Sequence, residues 1–225
     1  MRILLVIILI AGSVWIYLNP GVITGLVPSD EADDAAVPAA PVPLQKTEEP
    51  PPAVQVVPSD NEPEVTSSCN YYEIHGDTTK MLLEQMDSLG PSGHPGNTAY
   101  HMDCNWAYFK DSTGYKVCSV KMKVGILYTL PKWVRPENTP QDIVDEWGRF
   151  SKALENHEEG HKTIAVKDCQ VILDTLKDQP AFPTVNEAKA NANSVKLQLW
   201  DLMVEKQAAY DKETDHGRKT GTVFK

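Results

Sequence analysis

One run of residues limits what this chain can fold into more than any other. After Thr139-Pro140, the residues Ile143, Trp147, Phe150, Leu154, His157, His161, Ile164, Asp168, Val171 and Thr175 recur at alternating spacings of four and three. Such spacing draws one stripe along a helix of about 39 residues. The Thr-Pro pair is a good start for it, a hydroxyl cap followed by proline at the first helical position. Pro180 and Pro183 end it, because proline removes a ladder donor and clashes with the preceding turn. A second helix opens with Thr184-Val185-Asn186-Glu187, which fits a capping box. It turns Val185, Ala188, Ala192, Val195, Leu199, Leu202 and Ala209 inward and ends near Glu213. Two long helices joined by a short link pack antiparallel.

The residues before this pair follow a different period. Thr98–Phe109 and Tyr115–Leu130 are rich in aromatic and β-branched side chains around Asp111-Ser112-Thr113-Gly114, which predicts a long β-hairpin. Val120, Met122, Val124, Ile126 and Tyr128 alternate as a half-buried strand requires. Tyr71, Tyr72 and Ile74 suggest a short strand, and Asp77 could cap a helix carrying Leu82, Leu83, Met86 and Leu89, closed by Gly90-Pro91. The domain therefore spans 68–225 and is α+β, an antiparallel hairpin packed on two long antiparallel helices.

His157-Glu158-Glu159-Gly160-His161 reads H-E-x-x-H. On a helix, residues four apart lie on one face, so both imidazoles can reach one tetrahedral metal. Glu158 projects about 100° away, close enough to hold a water beside the metal without ligating. Zinc lowers the pKa of such a water toward ~7, and a carboxylate can take its proton as the water attacks a carbonyl. Both His stand where a bland helix would carry Leu or Val, and burying two imidazoles around a carboxylate is costly without a purpose. A third ligand is needed. The compact H-E-x-x-H-x-x-G-x-x-H arrangement fails, with Lys167 where its last His would stand. Folding the two helices symmetrically about their link brings Glu205 level with the two His. His75, His94 and His101 have no partner at metal spacing and read as loop or strand residues, while Trp147 and Trp200 read as core.

The HEEGH helix, the hairpin ending in Leu130-Pro131-x-Trp133 and the run Tyr210-Asp211-Lys212-Glu213-Thr214-Asp215-His216-Gly217 resemble a bacterial family described as predicted secreted zinc-dependent proteases. The resemblance covers roughly Tyr71 to Phe224. It implies a zincin-like fold and a secreted or anchored zinc peptidase. It points to His216 as third ligand, with Glu205 as the alternative from helix geometry, and to the Tyr210 hydroxyl as a stabiliser of a developing oxyanion. Asp211 or Asp215 would orient a ligand imidazole.

The amino-terminal third sets the expected compartment. Ile3 to Leu18 is apolar apart from Ser13, and Val22, Ile23, Leu26 and Val27 extend it far enough for a ~30 Å hydrocarbon core. Residues 1–27 are expected to be a transmembrane signal anchor with Arg2 on the cytoplasmic side, which puts the domain in the periplasm of a bacterial inner-membrane protein. The alternative is secretion after signal cleavage, although no small-x-small site follows the apolar run. Residues 28–67 hold nine Pro, and nine acidic side chains against one Lys. They read as a disordered linker that carries most of the formal charge of −10. The rest is nearly neutral and has no basic stripe, so nucleic acid is not an expected partner. In an exported chain, Cys69, Cys104, Cys118 and Cys169 could form two disulfides, with Cys104–Cys118 across the hairpin and Cys69–Cys169 as one pairing.

The expected function is a membrane-tethered, extracytoplasmic zinc peptidase acting on peptide or protein substrates, with Glu158 as general base. An extended substrate could add to the strand ending at Leu130-Pro131. The alternative is a non-catalytic zinc-binding module for envelope interactions.

Overall fold

The computed structural model describes residues 61–225. The expected membrane anchor and the linker up to residue 60 lie outside these residues; among the described ones, no helix is long and apolar enough to cross a membrane. The domain is α+β, with strands β1 (Glu64–His75), β2 (Asn97–Asp111) and β3 (Gly114–Val134) and helices α1 (Thr79–Leu89), α2 (Gln141–Lys177) and α3 (Val185–Thr214).

The hairpin forms as its sequence requires. β2 and β3 pair antiparallel from Asn97↔Thr129 to Asp111↔Gly114, with one shift in register at Ala107/Tyr108. β1 departs from expectation in both length and partner. It starts at Glu64, upstream of Ser68, and runs parallel to β3 from Glu64↔Lys123 to His75↔Val134. Alternation marks a strand's faces but not its neighbours, so this non-local pairing left no local trace. The strand order β1-β3-β2 makes β3 central. β1 covers one side of β3 as far as Val134, but β2 leaves the other side at Thr129, so among the described strands none pairs with Leu130-Pro131 on that side. The outer edges of the sheet belong to β1 and β2.

One face of the sheet receives the helices. Val120, Met122, Val124 and Ile126 of β3 meet Ala165, Cys169, Ile172, Leu173 and Leu176 of α2 and Ala192 and Met203 of α3. A second cluster joins Ile74, Leu82, Met86, Leu130, Phe150, Leu154 and the C-terminal Phe224. α2 spans both, and His157-Glu158-x-x-His161 lies where one cluster gives way to the other.

α2 and α3 are where the sequence places them, but their buried faces rotate away from the expected stripes. Beyond His161 the inward residues are Ala165, Asp168, Cys169, Ile172, Leu173 and Leu176, whereas Val171 is 49% exposed. On α3, Met203 and Gln207 are buried in place of Leu202 and Ala209. Strict alternation of four and three is a period of 3.5, and a straight helix drifts about 20° per heptad from it. Over nine turns that drift moves the buried face by nearly a quarter circle. The capping box forms at Thr184 and Glu187, whose backbone N–H groups each bond the other's side chain. At α1 the cap is Thr78, one residue beyond the expected Asp77.

All four cysteines are free thiols. Cys104 lies opposite Met122, four residues along β3 from Cys118, an offset of about 13 Å that no disulfide spans. Cys69 packs with the second cluster and Cys169 sits in the first, so neither expected pair meets.

The rotated stripe gives a direct test. Leu173→Ala should lower the unfolding free energy in urea by ~2–5 kcal/mol, as a buried leucine requires. Val171→Ala, on the expected stripe, should stay within ~0.5 kcal/mol of the parent.

Candidate metal centre

The site is built from two helix faces and one turn. On α2, His157, Glu158 and His161 are 5%, 3% and 8% exposed, and the imidazole centroids stand 4.8 Å apart. On α3, Gln207, Tyr210 and Asp211 occupy one face at helical spacing and meet them. Gly160 permits this approach, because a Cβ there would collide with the Tyr210 hydroxyl.

Gln207 sets the chemistry of His161. Its amide nitrogen donates to the His161 carbonyl at 3.0 Å, which turns its oxygen toward Nδ1 of the same residue at 2.7 Å. An amide oxygen only accepts, so Nδ1 carries the proton and Nε2 is left facing Asp211. The Asp211 Oδ1 atom lies 3.0 Å from His161 Nε2 and 3.3 Å from His157 Nε2. A bare imidazole nitrogen and a carboxylate oxygen at that distance are two acceptors, and only a cation between them resolves the conflict. The cation can be a proton or a metal. Burial pulls His161 toward the neutral form, but the Asp211 carboxylate and Gln207 outweigh it and raise its pKa. Burial likewise opposes ionisation of Asp211, yet its bonds to both imidazoles hold it well below the usual carboxylate range.

The donor set fits a tetrahedral metal. His157, His161 and Asp211 each offer a ligand atom, and these atoms all lie within 4.8 Å of one another. With bonds of about 2.0–2.2 Å, tetrahedral ligands stand roughly 3.3–3.6 Å apart, close to the spacings of both Asp211 contacts. His157 is held differently from His161. Its ring stacks on Tyr210 at 5.0 Å and 13°, and its Nδ1 is buried with no partner among the described residues.

Glu158 sits beside this cluster without joining it. Thr98, near the start of β2, donates its hydroxyl to Glu158 Oε2 at 2.6 Å. Burial raises the carboxyl pKa, while Thr98 and the two imidazoles oppose that shift.

The chain does turn back after α3. Asp215, His216 and Gly217 have φ of 53°, 50° and 79°, three left-handed residues in succession. This brings His216 Nδ1 to 3.6 Å from Asp211 Oδ1 and stacks its ring on His94 at 4.6 Å. His216 thus touches the cluster through Asp211 and lies outside the mutually close set. Tyr210 reaches the site with its ring; its hydroxyl donates to the His157 carbonyl at 3.4 Å and so turns toward the α2 backbone. Glu205 is exposed on α3 and takes no part.

Glu205 misses because the helices do not fold symmetrically about their link. Phe182 leaves the helical path to bridge Tyr115 at the base of the hairpin turn, with backbone bonds of 2.8 and 2.9 Å. An extended residue advances about 3.3 Å against 1.5 Å in a helix, so counting residues outward from the link fails. Asp211 was legible only as an orienting group, yet Gln207 and Asp211 repeat the four-residue spacing of the His pair on the facing helix. Thr98 and His94 carried no local signal.

Residues 69–217 match a family described as bacterial protein of unknown function, DUF922. No curated protein and no solved structure matches the chain.

If the cluster holds zinc, the geometry orders three substitutions by their effect on its affinity, measured by competition with a chelator. Asp211→Asn should lose more than the ~10–100-fold typical of groups outside the ligand set, His216→Ala should fall within that range, and Glu205→Gln should change nothing.

Proposed function

This chain belongs to the bacterial family of unknown function matched over residues 69–217, and we propose that it is a zinc-dependent peptidase with a zincin-like site. The observation that carries the reading is the Asp211 oxygen facing two imidazole nitrogens at 3.0 and 3.3 Å, with a buried carboxylate one residue from His157. His157, His161 and Asp211 would hold the ion. Zinc, when bound in such a site, supplies a Lewis acid that polarises a carbonyl and acidifies water.

The chain's own groups do the rest. Glu158 takes a proton from the attacking water and returns it to the departing amine. Its burial raises its affinity for that proton, which suits a group that must carry it between two steps. Thr98 fixes one carboxylate oxygen and leaves the other free to act. Gln207 fixes the His161 tautomer, and Tyr210 positions His157 by stacking. β2 is an edge strand, and Thr98 links it to Glu158. An extended peptide adding to that edge would run past the carboxylate. The apolar run Ile3–Leu18 supports a membrane-tethered location outside the cytoplasm, with peptides or proteins as substrates.

A second reading has one observation in its favour. His216 Nδ1 stands 3.6 Å from Asp211 Oδ1, and an inward shift of the turn would bring it among the donors as a fourth protein ligand. A closed site would make this a non-catalytic zinc module for envelope interactions.

Two measurements separate these readings. Zinc-loaded Glu158→Gln should retain the metal and lose at least ~100-fold in peptide hydrolysis. X-ray absorption should show three protein ligands and an open position; four protein ligands, or a fully active Glu158→Gln, would sink the peptidase.

A further inference from the structure

Beside the metal centre lies a cavity of about 440 Å³ whose walls come from α1, the amino-terminal half of α2 and the C-terminal tail. Its floor is Met86, Phe150 and Phe224, which are 1%, 2% and 5% exposed and belong to the second core cluster. Side chains packed that tightly make a preformed surface. Leu83 and Val223 continue the apolar lining.

Two walls of this cavity are also walls of the site. One is the segment that enters β2: His94 and Pro95 line the cavity, and the next residue is Gly96. A Cβ on Gly96 would lie 2.7 Å from Glu158 Oε1, so only glycine lets the backbone pass this close to the carboxylate. The Pro95 carbonyl accepts from the Tyr72 hydroxyl at 2.7 Å, which fixes the segment to β1. The other wall is the left-handed turn, where Asp215 and His216 line the cavity while His216 faces Asp211. The cavity and the site therefore share two walls, the segment entering β2 and the left-handed turn.

We propose that the cavity is the specificity pocket of the site and receives a large apolar side chain of the peptide, such as Leu, Met or Phe, from a residue flanking the scissile bond. The inference rests on the peptidase reading. A volume of 440 Å³ lies within the ~300–1,000 Å³ of small-ligand sites and holds one large side chain with its backbone. Charge supports the choice. The charged groups of the lining are Asp87, Asp215 and Arg218, all exposed, and Arg218 pairs with Asp215 at 3.6 Å. A charged side chain reaching the floor would lose its hydration and meet no partner there.

The test uses the zinc-loaded full chain and a mixture of synthetic peptides, with Leu83→Lys as the variant. Leu83 is 37% exposed, so the substitution alters the wall without opening the core. The parent should favour cleavage next to Leu, Met or Phe over Asp or Lys by at least ~10–200-fold in kcat/KM. Leu83→Lys should lose most of that preference and gain cleavage next to Asp and Glu. A second measurement does not depend on turnover: N-acetylphenylalaninamide titrated into the metal-free chain should shift the Met86 methyl resonance saturably, and Leu83→Lys should abolish the shift. Cleavage without side-chain preference, or a Met86 methyl indifferent to the amide, would overturn the proposal. Absence of cleavage together with a saturable Met86 shift would overturn the peptidase reading and uphold the pocket's apolar selectivity.

Discussion

His161 commits its Nδ1 proton to Gln207 and turns Nε2 toward a carboxylate oxygen 3.0 Å away. That contact is tolerable only with positive charge between the two atoms. Everything around it holds the two groups together despite the conflict. Burial strips away the water that would otherwise separate them. The amide of Gln207 prevents the ring from tilting, and the Tyr210 ring closes against both imidazoles. A group of acceptors fixed this firmly around a small space is the physical signature of a cation site, and the metal proposed for it follows from the donor types.

The fold supplies rigidity from both sides. α2 passes through two apolar clusters, and the H-E-x-x-H segment sits between them, so each end of the helix is anchored independently. The C-terminal tail adds a clamp. Arg149 donates to the Gly221 carbonyl and Lys225 N–H to Glu146, while Phe224 enters the second cluster. The same tail carries the left-handed turn that brings His216 to Asp211. The ordering of the tail, the walls of the adjoining cavity and the edge of the His157-His161-Asp211 cluster are thus one packing problem. A change in any of them should be felt in the others.

His216 marks the balance between two chemistries. Poised 3.6 Å from Asp211 and outside the close donor set, it supports that carboxylate from outside, and only by moving inward would it become a ligand of the proposed ion. In the first arrangement Glu158 has an open position to serve; in the second its buried carboxylate has no reaction to assist.

The sequence by itself determined what depends on local chemistry. A helical period placed two imidazoles on one face with a carboxylate between them, alternation gave the hairpin, and the capping box fixed the start of α3. Tertiary structure decided whatever depends on how distant segments meet. β1 pairs parallel with β3 across more than forty intervening residues. Phe182 is drawn to Tyr115, and that extended detour sets the offset of α3, so Asp211 faces the imidazoles and Glu205 faces solvent. The buried stripes rotated because a straight helix keeps its own pitch whatever spacing its apolar residues suggest. Thr98 reaches Glu158 for a similar reason: strand and helix meet only once the sheet is built. A ligand's type can be read from one chain position, but its partners require the register between elements, which is set by packing rather than by either element alone.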